Sequence, residues 1–257
     1  MRLDLYLFSF GYLKSRQKAK DLIENSNVKV DGKLISKPSF NIDEEIEHTI
    51  EISDNCPYVS RGGLKLEEIL NYVNIDVTNK FCLDIGASTG GFTDCLLKKG
   101  AKLVYAVDSG SNQLDKSLRN DKRVILIENF NARNLNKEII TNSIDIITID
   151  VSFISQTLIM AQAFTLLSDN GIYISLIKPQ FEVGKSNIGK GGIVKEKSAK
   201  ELAINRVIDF ASNNGFTCSA IIKSPILGGD GNTEFLAVFS KNGKTISKDL
   251  IKKLINS

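Results

Sequence analysis

Residues 81–85, Phe-Cys-Leu-Asp-Ile, run without a spacer into Gly86-Ala87-Ser88-Thr89-Gly90-Gly91 and on into a helical pattern over 92–99 that Gly100 terminates. An apolar run, a glycine-rich turn and a helix start make a strand–turn–helix unit, and such a unit places a crevice at the carboxyl end of its strand. Short apolar runs recur afterwards at 103–107, 124–127, 144–149, 172–177 and 235–239, with helical stretches between them. This alternation predicts an α/β chain with a parallel sheet covered by helices on both faces. The 257 residues, 42% hydrophobic and 25% charged, allow such a core plus a second, smaller domain. The same composition excludes a disordered, collagenous or disulfide-scaffold chain.

Net charge is only +3, so any argument about a polyanionic partner rests on where the charges lie. Residues 1–40 hold eight basic side chains against four acidic ones, whereas 41–58 hold six acidic and no lysine or arginine. That break predicts a small basic module with an acidic linker over 1–58, followed by the α/β domain over 59–257. Cys56, Cys82, Cys95 and Cys218 are scattered and His48 is the single histidine, which disfavours a zinc site, so no metal is expected. No apolar run has the length of a membrane span, and the N-terminal residues do not read as a signal peptide. The expectation is a cytoplasmic, thiol-reduced monomer with no membrane partner.

In the basic module, Ser15 caps a predicted helix running to about Asn25, whose Ala19, Leu22 and Ile23 share one face. Arg16, Lys18 and Lys20 fall outside that stripe. Val28 to Leu34 alternates around Asp31-Gly32, the pattern of a tight hairpin. The order of residues from Arg2-Leu3-Asp4 to Lys37-Pro38 resembles the RNA-binding module named after the small-subunit ribosomal protein S4. That resemblance implies binding of structured RNA by backbone and shape contacts. The RNA-facing candidates are Arg2, Lys14, Arg16, Lys18 and Lys20, with Arg61 in the following segment; a merely solvated basic face is the alternative.

The glycine-rich turn departs from a dinucleotide fingerprint. Ser88 stands where that fingerprint has its middle glycine, and Asp84 precedes the turn by two residues. A pyrophosphate would be repelled by Asp84, whereas the sulfonium and amino group of S-adenosylmethionine would be attracted. Asp108, at the end of the next strand, suits ribose hydroxyls. The predicted cofactor contacts are Asp84, Gly86, Ser88, Thr89, Gly90, Gly91, Phe92 and Asp108, a purely structural turn being the alternative.

Polar groups at strand ends carry weight because ligands of such sheets bind there. Asp150 closes the run 144–149, Lys178 closes 172–177, and Glu234 precedes 235–239. Lys65 adjoins the Leu66, Ile69, Leu70, Val73 stripe of an earlier helix, along which its stem can reach the sheet end. A second lysine beside Lys178 would disfavour its charged form, and neighbouring carboxylates would oppose that.

Tyr58 to Leu66, Asp84 to Phe92, Asp150 to Ser155, Lys178 to Gly184 and Gly228 to Glu234 together resemble the TlyA family, once called haemolysin A and similar to the FtsJ-like 2′-O-methyltransferases. The likeness spans nearly the whole chain. It implies a Rossmann-like seven-stranded methyltransferase fold, S-adenosylmethionine as cofactor and ribosomal RNA or ribosomal subunits as partner, with 2′-O-methylation of a cytidine ribose as the reaction. It also implies a catalytic tetrad on Lys65, Asp150, Lys178 and Glu234, and cofactor contacts at Asn131 and Asp150. Glu128-Asn129-Phe130-Asn131-Ala132-Arg133 departs from the family's usual E-R-T-N-x-R.

A ribose hydroxyl is a poor nucleophile, so the site must align and deprotonate it. Lys178 is expected to accept or steer its proton, Asp150 to partner Lys178, and Lys65 and Glu234 to orient both. A base role requires a large downward shift from the ordinary lysine pKa of about 10.4. Residues 182–197, including Lys185 and Lys190, read as a mobile basic loop able to cover RNA. A non-catalytic RNA-binding assembly factor and a membrane-active haemolysin are the other readings.

Overall fold

The computed structural model describes residues 1–13, 15–24, 27–53, 56–228 and 231–256. The chain divides into two units, Met1–Arg61 and Gly62–Ser257.

The first unit carries α1 (Leu3–Ser9) and α2 (Arg16–Glu24) with a three-stranded antiparallel sheet of order β2-β1-β3, formed by β1 (Val28–Val30), β2 (Lys33–Ile35) and β3 (Ile50–Ile52). Ser15 Oγ accepts the Lys18 amide at 3.1 Å, which starts α2 as expected of a cap. Ala19, Leu22 and Ile23 are buried against Leu3, Tyr6, Leu7 and Val28. Asp31 and Gly32 both take positive φ, 52° and 75°, the geometry of a two-residue hairpin turn. Residues 41–58 are not a simple acidic linker. Ile50 and Ile52 flank Glu51 with the period of a strand and add apolar surface to this core, while Glu51 sits opposite Lys29 with an ion pair of 3.1 Å. The count of acidic residues concealed that alternation.

The second unit holds a seven-stranded sheet of order β6-β5-β4-β7-β8-β10-β9. Its strands are β4 (Phe81–Ile85), β5 (Leu103–Val107), β6 (Val124–Ile127), β7 (Ile144–Ile149), β8 (Leu167–Ile177), β9 (Thr217–Lys223) and β10 (Phe235–Ser240). The helices are α3 (Gly62–Val73), α4 (Gly91–Lys98), α5 (Lys116–Arg119), α6 (Thr157–Phe164), α7 (Pro179–Glu182), α8 (Lys197–Asn213) and α9 (Lys248–Asn256). The core joins Leu83, Ile147, Tyr173, Phe235 and Phe239 of the sheet to Met160 of α6 and to Ile204 and Val207 of α8.

The sheet differs from the sequence expectation in three respects. β8 begins at Leu167, because the polar residues 168–170 extend the strand before its apolar part. β9 is an additional strand. And the sheet is mixed: β4 to β8 are parallel, but β10 runs antiparallel to both β8 and β9. Phe235 pairs with Ile177, so the start of β10 lies where β8 ends and Glu234 arrives at the same rim as Lys178.

Candidate active site

The turn between β4 and α4 is pressed against the end of β7. Gly86 has φ +85°, and a Cβ there would overlap the Asp150 carbonyl, so both backbone angle and space demand glycine. The Asp150 amide in turn donates to the Ile85 carbonyl at 2.9 Å. The amides of Ser88 and Gly110 each donate to Asp108 at 2.7 Å, one to each carboxylate oxygen. Each oxygen keeps a second lone pair for a ligand hydroxyl. Asn131 caps the short turn Ala132–Asn134 by accepting the Arg133 amide at 3.1 Å, and the Phe130 amide bonds the Asp108 carbonyl, which brings Asn131 to the same rim.

Asp84 is fully buried and accepts hydrogen bonds from Thr93 Oγ1 at 2.7 Å and Thr148 Oγ1 at 2.9 Å. Burial pushes its carboxyl up to about 7 against the pull of those two hydroxyls. Asp84 therefore acts on the turn from beneath, as a field source, rather than lining its surface. Gly91 and Phe92 are also buried, so they shape the turn from within, whereas Ser88 is exposed and Thr89 half-buried.

The four polar residues meet as two ion pairs. Lys65 Nζ donates to Glu234 Oε2 at 2.5 Å, both side chains being nearly inaccessible, and Lys178 Nζ lies 2.5 Å from Asp150 Oδ1. Lys178 also donates to Ser152 Oγ at 3.0 Å. Each ammonium thus faces a carboxylate of the kind expected to oppose the effect of a second lysine. Asp150 Oδ1 is buried against the Lys178 ammonium, at the end of β7 beside the glycine turn.

Sequence reasoning missed what holds these groups. Glu182 is 2% exposed and accepts from Ser155 Oγ at 2.5 Å and from the Gln156 amide at 2.9 Å. Ser175 Oγ donates to Gln156 Oε1 at 2.6 Å. These bonds tie the loop after β7, bearing Asp150 and Ser152, to the end of β8, bearing Lys178. Phe153 is also unforeseen: it is 93% exposed, has φ +63° and lies 5.3 Å from the Phe181 ring. An exposed aromatic residue held in left-handed backbone at the sheet rim is a mark of a functional constraint. Phe153, Ser155, Phe181 and Glu182 were signalled only by their membership of segments 150–155 and 178–184, and Gln156 and Ser175 by nothing.

The RNA-facing candidates have mixed fates. Arg2 and Arg16 both bond the buried Asp4 at 2.9 Å, joining the starts of α1 and α2 while staying 45% exposed. Lys18 and Lys20 are half-buried; Arg61 approaches Glu24 at 3.9 Å; Lys14 lies outside the described residues. Lys185 and Lys190 are exposed on the short turns Lys185–Asn187 and Lys190–Gly192. The segment 182–197 is not a free loop: Val183 and Val194 pack on Ala199 and Ala203, and Asn232 bonds Val194 and Gly192.

Sheet order, antiparallel β10 and the acid-fronted glycine turn define a Rossmann-like methyltransferase domain. A family model described as FtsJ-like methyltransferase matches residues 58–241, and one described as S4 domain matches residues 1–45. Hemolysin A of Brachyspira hyodysenteriae is 47% identical over 93% of this chain and 99% of its own length. TlyA of Mycobacterium tuberculosis, named a 16S/23S rRNA (cytidine-2′-O)-methyltransferase, is 38% identical over 91% of this chain and 87% of its own. A solved structure of a Streptococcus thermophilus protein named as a hemolysin superposes with a TM-score of 0.80 at 39% identity, covering 100% of this chain and 94% of that one. The chain belongs to the TlyA, or haemolysin A, branch of the FtsJ-like methyltransferases. The family's methyl donor, S-adenosylmethionine, fits a turn with glycine backbone for close approach, a carboxylate beneath it and Asp108 at its edge.

Proposed function

We propose that the protein methylates a ribose 2′-hydroxyl, that of a cytidine, in ribosomal RNA. The observation that carries this is the pair of lysine–carboxylate contacts, Lys65–Glu234 and Lys178–Asp150, standing beside the glycine turn at one sheet rim. S-adenosylmethionine supplies the electrophilic methyl group. The chain's own residues have to bind, orient and deprotonate the hydroxyl. Asp150 Oδ1 is the acceptor for the hydroxyl proton's hydrogen bond, and Lys178, paired with a carboxylate, acts as a cation that steers the ribose oxygen and stabilises its developing charge. Lys65 and Glu234 brace the neighbouring strand. Phe153 offers an aromatic face to the target base.

On this reading residues 1–61 grip structured RNA and residues 62–257 carry the chemistry. The nucleotide type rests on the names of relatives such as TlyA of Mycobacterium tuberculosis. Incubation with labelled S-adenosylmethionine and purified ribosomal subunits, followed by mapping of methylated riboses, tests cofactor, substrate and position together. Label at a cytidine 2′-oxygen is the expected result; RNA that stays unlabelled, or a label on a base, overturns it.

A further inference from the structure

Lys197 and Lys200 lie in the first turn of α8, and Lys223 is the last residue of β9. Because β9 is antiparallel to β10 and β10 is antiparallel to β8, β9 ends at the rim where β8 ends. Lys223 pairs with Phe235, and Phe235 pairs with Ile177, the residue before Lys178. Two strand spacings of about 4.8 Å therefore separate the backbone of Lys223 from that of the catalytic strand. Cross-strand partners share a face, and Phe235 belongs to the same core cluster as Ile204 and Val207 of α8, which packs on β9, so Lys223 stands on the face that α8 covers.

Lys200, half-buried in the first turn of α8, stands between the charges of the exposed Lys197 and Lys223. Burial, and then the charges of Lys223 and Lys197, depress the pKa of Lys200. No carboxylate lies within 4 Å of any of the three among the described residues; Lys197 donates to the neutral Asn256 at 2.8 Å. Two of them also sit at a helix N-terminus, where the helix dipole repels cations. An anion placed among these lysines would offset that opposition.

We propose that Lys197, Lys200 and Lys223 form a phosphodiester-binding cluster that holds the RNA backbone beside the target ribose. This rests on the RNA methyltransferase reading, which brings a polyanion to this rim, and it assigns the contact to lysines of the catalytic unit, apart from the basic first unit.

The test uses the full chain carrying Lys200→Gln and Lys223→Gln, with purified ribosomal subunits as probe over a range of KCl concentrations. The expected result is a rise in KM for subunits of about tenfold, kcat within about twofold and unchanged S-adenosylmethionine affinity, together with a slope of log affinity against log salt shallower by about one per lysine removed. Melting temperature should stay level or rise, and arginine at both positions should restore binding. An unmoved salt slope in an otherwise active enzyme overturns the cluster alone, as does a loss of kcat accompanied by a loss of melting temperature. A wild-type chain that neither binds nor methylates subunits overturns the parent reading and the cluster with it.

Discussion

Lys65 and Glu234 are 169 residues apart in the chain and 2.5 Å apart in the fold, with exposures of 8% and 2%. The pair joins the helix that opens the catalytic unit to the start of a late strand. Removing one partner leaves a buried charge uncompensated, which costs about 3–5 kcal/mol, whereas replacing both by apolar groups of similar volume is far milder. Lys65→Met should therefore lower stability in urea titration by that amount, and Lys65→Met with Glu234→Leu should regain most of it. Both variants are expected to be inactive. Equal destabilisation of single and double variants would contradict a buried pair.

Lys178 touches both Asp150 and Ser152, two residues of one loop. Lys178→Ala should lower the rate of methyl transfer by about 100-fold or more, the scale of losing one preorganised donor aimed at a developing negative charge. S-adenosylmethionine affinity by calorimetry should stay within about twofold, because Asp84, Gly86 and Asp108 are untouched. A matching fall in donor affinity would place Lys178 in the cofactor site instead.

Asp84 titrates near pH 7 through burial. A cationic ligand above it favours the carboxylate, so donor affinity should rise as pH increases through about 7, with proton release on binding at lower pH. Asp84→Asn should flatten that dependence. The same shift makes the ligand-free fold lose stability between about pH 4 and pH 7, since the unfolded chain gives up this proton first. Calorimetry in two buffers of different ionisation heat reads the proton count.

In the first unit, His48 Nδ1 is 2.7 Å from Asp31 Oδ2 and Nε2 is 2.9 Å from the Asp43 carbonyl oxygen. The bond to Asp31 raises the histidine pKa above its ordinary value and lowers that of Asp31. The histidine's contribution is complete below about pH 6.5 and disappears as pH rises through its raised value; that of Asp31 is lost as pH falls through its lowered one. The Asp31 carboxylate also accepts the Thr49 amide at 2.9 Å. Protection of the Thr49 amide against hydrogen exchange should accordingly fall as pH rises above about 6.5, and His48→Gln should remove the trend.

Local patterns made the strand–turn–helix unit, the hairpin at Asp31-Gly32 and the capping by Ser15 readable, because each depends on neighbours within a few residues. β9 escaped because Cys218 and Ser219 dilute its apolar run, and β3 because acidic residues dominate its surroundings. The direction of β10 is set by which strands it pairs with, and no periodicity within 235–240 encodes that. Asp150 and Lys178 were reachable from the strand-end rule, but their bracing by Glu182 and Gln156 was not, since those bonds bridge 19 to 27 residues. Glu234 and Lys65 were brought to the rim by strand position and helix stripe, the family likeness joined them to Asp150 and Lys178, and their pairing appears only in the fold.

β9 hydrogen-bonds within the sheet to β10 alone, and β10 wedges between it and β8. A growing polypeptide that has not yet emerged past residue 240 consequently has an orphan strand, an uncovered β8 edge and no glutamate for Lys65. On the proposed assignment the rim is thereby completed late in translation, and a product cut short before this strand would keep its S4 module while lacking the glutamate that pairs with Lys65.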